Sequence, residues 1–448
     1  MYDLIVLGAG PGGYEAAARA GRMGKKTALI EKQYLGGTCL NVGCIPTKVF
    51  LKSSKLITDC KNGLSYGVRV ASAELDWAAL IERKNKVVAT LTQGVETLLK
   101  RSGVEIIRGE GKLINRNTIQ VGSETLSAKN ILIATGSRPA TPPIPGLESA
   151  GVLDSNTIFE LPALPSSLAI IGGGYIGLEF ACFFAAAGTR VTVLEMLPQI
   201  AAGSDHDISS RLLAELRKQG IDIKTSCQVT SVERGSIHYR AEDGSAATLE
   251  AEYVLNATGR TPAVDGIGLE AAGVDFDQKG IKTTDRGRTS VPGIWACGDV
   301  TGRRLLAHAA TREGLVAVAN MFGGDQRIRY DAIPSVIYTH PEVASVGKTE
   351  EELKAQGVDY KKSLVPMALS GRWLLENASG GGIAKVLVGA KYGEILGVHV
   401  MGDLASEFIV AAAVMIENEM CVSDVAEIVF PHPTVSEAMK EALLRAAE

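Results

Sequence analysis

The sequence predicts an α/β chain of several domains, in which one strand, glycine turn, helix and strand unit is written twice and an α+β segment follows. Three observations carry this: size and composition, the internal repeat, and a shift toward strand patterns after Tyr330. At 448 residues the chain is about three times one domain. Hydrophobic content of 46%, charged content of 21% and 50 glycines describe a globular chain, not a disordered or fibrous one. Lys+Arg 46 against Asp+Glu 50, a net charge of −4, with no like-charge block, argues against a nucleic-acid partner. The longest apolar runs, Phe180–Ala187 and Phe408–Ile416, fall short of the roughly 18 residues a membrane helix needs, so no membrane partner is expected. The opening strand pattern Leu4-Ile5-Val6-Leu7 leaves no room for a secretory signal, so a cytoplasmic or already processed chain is expected.

The repeat lies at Leu4–Glu31 and Ala169–Glu195. In the first copy an apolar run leads into Gly8-x-Gly10-x-x-Gly13, then a helical stretch at Ala16–Met23, then Thr27–Ile30 and Glu31. In the second, Gly172-x-Gly174-x-x-Gly177 leads through Leu178–Ala187 to Val191–Leu194 and Glu195. The first glycine permits the tight turn, the second lets backbone approach a pyrophosphate, and the third lets the helix sit close on the sheet. Phosphates then lie on the helix N-terminus. The closing Glu accepts hydrogen bonds from a ribose diol and repels a 2′-phosphate, so NAD rather than NADP is expected at Glu195. The pattern predicts two Rossmann-like dinucleotide-binding domains.

Two echoes close these units: Asn130–Gly136 with Arg138-Pro139, and Tyr253–Gly259 with Thr261-Pro262. Each is an apolar strand ending in Thr-Gly, which marks Gly136 and Gly259 as candidate cofactor contacts. Pro142–Gly146 reads as a linker. The strand Gly293–Cys297, ending in Gly298-Asp299, is expected to return the chain to the first unit. Strands at Val343–Val346 and Ile395–Val400, then helices at Ala405–Glu417 and Val435–Ala447, predict the α+β end.

Of the seven cysteines, Cys60, Cys182, Cys227, Cys297 and Cys421 read as buried structural thiols. Cys39 and Cys44 differ. They sit in Gly36-Gly37-Thr38-Cys39-Leu40-Asn41-Val42-Gly43-Cys44-Ile45-Pro46-Thr47-Lys48, just past the first nucleotide motif. An ideal helix puts residues five apart at roughly 8–9 Å, and a disulfide wants about 4.4–6.8 Å, so bonding requires a distorted turn at Asn41 and Gly43. A staple closing so short a loop contributes only about 2 kcal/mol. Two thiolates alone also fall short of a closed zinc set, and no metal site is expected. Redox chemistry is the favoured reading.

The segment Gly36–Lys48, both nucleotide motifs, both Thr-Gly echoes, Gly298-Asp299 and the ending His432-Pro433-Thr434-Val435-Ser436-Glu437 together resemble the pyridine nucleotide–disulfide oxidoreductases along essentially the whole chain. Ile333–Glu342 and Gly397–Val400 are most similar to the dihydrolipoamide dehydrogenase branch. The resemblance implies an FAD-binding domain in two parts, 1–143 and 265–331, an NAD-binding domain at 144–264, and a C-terminal dimerisation domain at 332–448. It implies that Cys39 meets substrate sulfur and Cys44 lies against the flavin, with Lys48 beside the flavin and paired to Glu179. Glu31 and Asp299 would hold FAD, and Gly172, Gly174, Gly177 and Glu195 would hold NAD. His432 would be the acid/base and Glu437 its orienting partner, in a homodimer that serves a lipoyl-bearing protein of a 2-oxo-acid dehydrogenase complex or the glycine cleavage system. A glutathione-type disulfide reductase and a non-catalytic redox sensor or docking subunit are the rival readings.

His432 and Glu437 also have a local explanation, since Thr434-x-x-Glu437 is a capping box ahead of the last helix. Thiol–disulfide exchange needs a proton acceptor near neutral pH, for which His is suited, with a carboxylate to fix its tautomer. His206 is expected in a loop, and His238 and His399 in strands. His308 and His340 are expected to be either structural or near a cofactor.

Overall fold

The computed structural model describes residues 1–149, 151–377 and 381–447. By its contacts the chain divides into two units: Met1–Val49, Ile81–Ala140 and Gly259–Ile328 form the first, and Phe50–Leu80, Thr141–Thr258 and Arg329–Glu448 the second. The expected nucleotide segment 144–264 and the terminal segment 332–448 fall mainly within the second.

The first unit is built on a seven-stranded sheet. Its strands Glu105–Arg108, Thr27–Glu31, Tyr2–Leu7 and Glu124–Ile133 lie parallel in that order. Leu4 to Leu7 are buried on both faces, which is why this strand reads as a continuous apolar run without alternation. Strand Glu124–Ile133 is long enough to serve twice, continuing into antiparallel pairing with Thr118–Val121, which in turn pairs Gly111–Asn115. The strand Ile294–Ala296 joins Glu124–Ile133 in parallel, so the chain does return to the first unit as its Gly-Asp ending predicted.

Helix Pro11–Arg22 opens with Pro in its first turn, where no N–H is needed. Ala16, Ala17, Ala18 and Ala20 are wholly buried, and their small size lets helix Ala307–Met321 pack close against it. The helix starts earlier than the composition at Ala16–Met23 suggests, because Gly12 and Gly13 are themselves helical. The same holds for Tyr175–Ala187, which begins before Leu178 and includes Gly177. A glycine needed for close helix–sheet packing sits inside the helix it serves.

The second unit carries a parallel sheet ordered Asp222–Lys224, Arg190–Leu194, Ser167–Ile171, Tyr253–Asn256, Val152–Leu153. Its helix Tyr175–Ala187 buries Phe180, Phe183 and Phe184. Phe50 stacks on Phe183 at 4.6 Å and Phe159 at 5.3 Å between ring centroids, clamping segment 50–80 to this unit. The Pro142–Gly146 segment is not a free linker, since Val232 N–H donates to the Pro145 carbonyl at 2.8 Å. An antiparallel five-stranded sheet, ordered Ser335–Ile337, Val343–Gly347, Ile395–Met401, Ile383–Gly389, Tyr360–Pro366, is covered by helices Ala405–Glu417 and Glu437–Ala447. The last helix begins at Glu437, two residues after the expected start.

Two further expectations are corrected. His206 lies in no loop but opens helix His206–Lys218, because Asp205 caps it by accepting the Asp207 N–H at 3.0 Å. Cys182, Cys227 and Cys297 are buried, but Cys60 and Cys421 are only partly so, since each lies at the end of a helix or its cap. Among the described residues no helix is long and apolar enough to cross a membrane.

The crossing of helices Pro11–Arg22 and Ala307–Met321 yields a prediction. A Cβ on Gly314 would lie 2.4 Å from the Gly12 carbonyl oxygen. Gly314→Ala gains about 1 kcal/mol of helix propensity but forces backbone apart, at about 1–3 kcal/mol. The thermal midpoint of the variant is expected to fall by a few degrees; a rise would contradict the close packing.

Candidate active site

The two nucleotide loops share one geometry. Gly8 has φ +106, and a Cβ there would lie 2.3 Å from the Ala134 carbonyl oxygen; one on Gly13 would lie 2.0 Å from the Gly8 oxygen. No side chain fits either place. In the second copy the Gly172 Cβ would meet Ala257 O at 2.4 Å and the Gly177 Cβ would meet Gly172 O at 2.1 Å. Ala134 and Ala257 stand immediately before the Thr-Gly of the two echoes, which explains the echoes: each strand ends beneath its own glycine turn. At Gly10 and Gly174 a Cβ would meet nothing within 4 Å, so the open side of each loop lies at a helix N-terminus, where N–H groups and the dipole favour phosphate.

The closing acids are fixed alike. Glu31 Oε2 accepts from Ala9 N–H at 2.7 Å, and Oε1 from Gln33 and Tyr34 at 2.7 and 3.2 Å. Glu195 Oε2 accepts from Gly173 N–H at 2.6 Å and Oε1 from Leu197 N–H at 2.7 Å. A carboxylate has about four acceptor sites, so capacity remains for a ribose diol. The residues present fit a dinucleotide in each unit.

The cysteine segment is docked on the first of these loops. Gly36 N–H donates to the Ala9 carbonyl at 2.9 Å, and Gly37 approaches so closely that a Cβ would lie 2.7 Å from Gly10 Cα. Cys39 then lies in helix Gly37–Val42 and Cys44 opens helix Cys44–Lys61, with Gly43 between them at φ −139, ψ −111. This break is the distorted turn that the spacing of the two cysteines requires. Asn41 Nδ2 holds it by donating to the Leu35 and Gly37 carbonyls, both at 2.9 Å, and Thr47 Oγ1 donates to Gly43 O at 2.7 Å. Pro46 falls in the first turn of its helix, where it is tolerated.

The two sulfurs share a hydrogen bond. The hydrogen bond with Cys44, burial and the Cys44 charge all push the Cys39 thiol well up, while Lys48 opposes them. A pair sharing one hydrogen bond gives up its second proton with difficulty. Tyr14, raised to about 12 by burial with help from Glu15 and Cys39, is a neighbour that motif reading missed.

Asp299 lies in the turn Gly298–Thr301. Its Oδ2 accepts from Ser137 Oγ at 2.5 Å, and Ser137 Oγ accepts from Arg260 Nε at 2.7 Å. Burial pushes the Asp299 carboxyl up, against Ser137 and Arg260. Gly136 and Gly259 immediately precede the strands Ser137–Pro139 and Arg260–Pro262, which pair antiparallel. The residue after each Thr-Gly, Ser137 or Arg260, was thus the signal for two residues that the sequence reading passed over. Glu313 Oε2, also unforeseen, accepts from Gly298 N–H at 2.6 Å.

In the second unit His432 Nδ1 lies 2.9 Å from Glu437 Oε1, and Glu437 Oε2 accepts from Thr434 N–H at 2.8 Å. One carboxylate therefore serves both the histidine and the start of the helix. The Thr434 hydroxyl donates to the Pro431 carbonyl at 2.8 Å. The Thr434 N–H and then His432 hold the Glu437 carboxyl below its usual range. The interaction is thus full above the ordinary Glu value and fades as pH falls through the depressed one. The His432 side chain is 78% exposed.

Glu179 is buried, its Oε1 accepting from Tyr338 N–H at 3.0 Å. Lys48 belongs to the first unit and Glu179 to the second. His340 Nδ1 lies 3.1 Å from Asp403; burial would raise that carboxyl, but His340 and Lys55 bring it down to about 2. His399 is buried in its strand with Nε2 2.9 Å from the Lys348 carbonyl, and burial lowers its pKa. His238 lies in strand Ser236–Arg240, and His308 is the second residue of helix Ala307–Met321.

Comparison with known proteins agrees with this geometry. Residues 2–314 match the pyridine nucleotide-disulphide oxidoreductase family, and residues 333–443 match that family's dimerisation domain. The chain is 38% identical over 463 residues to a dihydrolipoyl dehydrogenase of Cupriavidus necator, covering 99% of this chain and 98% of the relative. It is 40% identical over 458 residues to dihydrolipoyl dehydrogenase 3 of Pseudomonas aeruginosa, covering 99% and 97%. Among solved structures, LpdA of Mycobacterium tuberculosis superposes with a TM-score of 0.90 at 26% identity, covering 99% of both chains. With two glycine cradles, a cysteine pair docked on the first and these matches along its length, the chain belongs to the pyridine nucleotide-disulphide oxidoreductases.

Proposed function

We propose that the chain is a dihydrolipoyl dehydrogenase, oxidising protein-bound dihydrolipoamide with NAD⁺ through Cys39 and Cys44. The observation that carries this is the backbone docking of Gly36 and Gly37 on Ala9 and Gly10, which fixes the dithiol to a dinucleotide loop. The full-length similarity to dihydrolipoyl dehydrogenases supports the choice of substrate. Residues 1–143 and 265–331 are assigned to FAD, with Gly8, Gly10, Gly13, Glu31, Gly136 and Asp299 toward it. Residues 144–264 are assigned to NAD, with Gly172, Gly174, Gly177, Glu195 and Gly259, and residues 332–448 to dimerisation. Lys48 is assigned a place beside the flavin.

The protein's own steps are thiol exchange and proton handling. A substrate thiolate attacks Cys39 Sγ of the oxidised pair, breaking the Cys39–Cys44 bond and releasing Cys44 as thiolate. The second substrate thiolate attacks the substrate sulfur of the mixed disulfide and releases Cys39, leaving cyclic lipoamide and two electrons on the cysteines. His432, oriented by Glu437, takes the proton from the substrate thiol. Cys44 is assigned as the thiolate that meets the flavin. FAD supplies acceptance of the electron pair and its delivery as hydride to NAD⁺.

His432 is exposed on its own chain, a position suited to completing the site of a second chain in a twofold dimer. The lipoyl group arrives on a carrier protein of a 2-oxo-acid dehydrogenase complex or the glycine cleavage system.

Two outcomes are expected. With dihydrolipoamide, kcat/KM for NAD⁺ exceeds that for NADP⁺ by at least about tenfold, the worth of one charge-assisted hydrogen bond. Equal use of both nucleotides, or faster reduction of glutathione disulfide by NADPH, would overturn the assignment. In the second experiment, Cys44→Ser and His432→Gln chains are co-expressed. With shared sites a mixed dimer has one site carrying both defects and one carrying neither, so random pairing makes about a quarter of all sites competent. Activity no higher than either parent variant, in a verified mixed dimer, would return His432 to its own chain or to the helix cap.

A further inference from the structure

The loop that leaves Glu195 is anchored from the terminal segment of the chain. In the first nucleotide unit, the residue that docks the following loop is Gly36, at φ +89, with its N–H on the Ala9 carbonyl. In the second unit the same contact is made by Ala201, whose N–H donates to the Gly173 carbonyl at 2.8 Å. Ala201 sits at φ +51 and is wholly buried. A residue with a Cβ resists that conformation where glycine does not, so the surroundings must hold it.

The hold comes from the far end of the loop. Ser209 Oγ donates to Ile200 O at 2.8 Å, and Ser204 N–H to Ala201 O at 2.9 Å. Next in the chain is Asp205, wholly buried, which caps helix His206–Lys218. Its two oxygens also accept from Lys385 Nζ at 2.8 Å and from Glu350 N–H at 3.1 Å. Lys385, on strand Ile383–Gly389, is itself wholly buried, and its ammonium reaches Asp207 and Glu350, both at 2.6 Å. Such a cation is retained only where its partners surround it, and without it Asp205 and Glu350 become buried like charges.

We propose that Lys385 is a positioning residue for the nicotinamide dinucleotide: through Asp205 it fixes the far end of the loop whose near end carries Glu195. This rests on the assignment of Glu195 to the nucleotide ribose made above. Lys385 touches neither nucleotide nor substrate and acts only by setting where Glu195 stands.

The test measures NAD⁺ dissociation constants by calorimetry on the FAD-loaded dimer for the unaltered chain, Lys385→Met, Glu195→Ala and the double variant. It adds the rate of anaerobic reduction by dihydrolipoamide alone, which needs no nucleotide. Lys385→Met is expected to weaken NAD⁺ binding about tenfold, the loss of one ribose hydrogen bond. The NAD⁺ KM rises accordingly, with kcat and the dithiol rate unchanged. Added to Glu195→Ala, the same change should have little further effect, because both act through one contact. If Glu195→Ala leaves NAD⁺ binding unchanged, the nucleotide assignment itself fails and the proposal with it. If Glu195→Ala weakens binding but Lys385→Met does not, or the two losses add in full, only the positioning role is overturned. Should Lys385→Met not fold, Asp205→Asn keeps the helix cap through its remaining oxygen while removing the charge that faces Lys385 and the acceptor for the Glu350 N–H, and the same criteria decide.

Discussion

The placing of the cysteine pair in the first unit depends on a contact between two stretches of backbone, made at three glycines and one alanine. Gly36 N–H meets the Ala9 carbonyl at 2.9 Å and Gly37 presses on Gly10. Any Cβ at Gly37 would separate the cysteine segment from the nucleotide loop. With glycine there, the dithiol and the dinucleotide cradle belong to one rigid piece. Exchange between sulfur and a ring cofactor depends on a fixed approach, and preorganised geometry of this sort is worth many kcal/mol in rate.

The helix break at Gly43 is the second half of the same constraint. An unbroken helix holds residues five apart too far for a disulfide. Asn41 ties its side chain to carbonyls ahead of the break, and Thr47 ties its hydroxyl to the Gly43 carbonyl at it. Closeness also couples the pair: two sulfurs sharing one hydrogen bond cannot both ionise easily.

Much of this was legible in the sequence because it is written in local patterns. The doubled glycine motif, the two closing glutamates and the strand returning at Ile294–Ala296 each depend on residues adjacent in the chain, and each stands where the pattern put it. The helix starts were misread because motif glycines look like loop but are helical at Gly12, Gly13 and Gly177. His206 was misread because Gly203-Ser204-Asp205 has loop composition, while the physics of the cap makes Asp205 a helix start. Ser137 and Asp299 are 162 residues apart, and Asp205 and Lys385 are 180 apart; no period or spacing announces such pairs. The His432 and Glu437 motif had two readings, and the carboxylate satisfies part of both with its two oxygens.

The central claim is that electrons enter from a dithiol at Cys39 and Cys44 and at no other sulfur. Its most direct test is peptide mapping after thiol alkylation. The air-oxidised protein is first blocked with one alkylating reagent, then given one equivalent of dihydrolipoamide without oxygen, then treated with a second, mass-distinct reagent. The account predicts that the second label falls on Cys39 and Cys44 together, with none on Cys60, Cys182, Cys227, Cys297 or Cys421. Absence of the second label from Cys39 and Cys44, or its appearance on any of the other five, would contradict it.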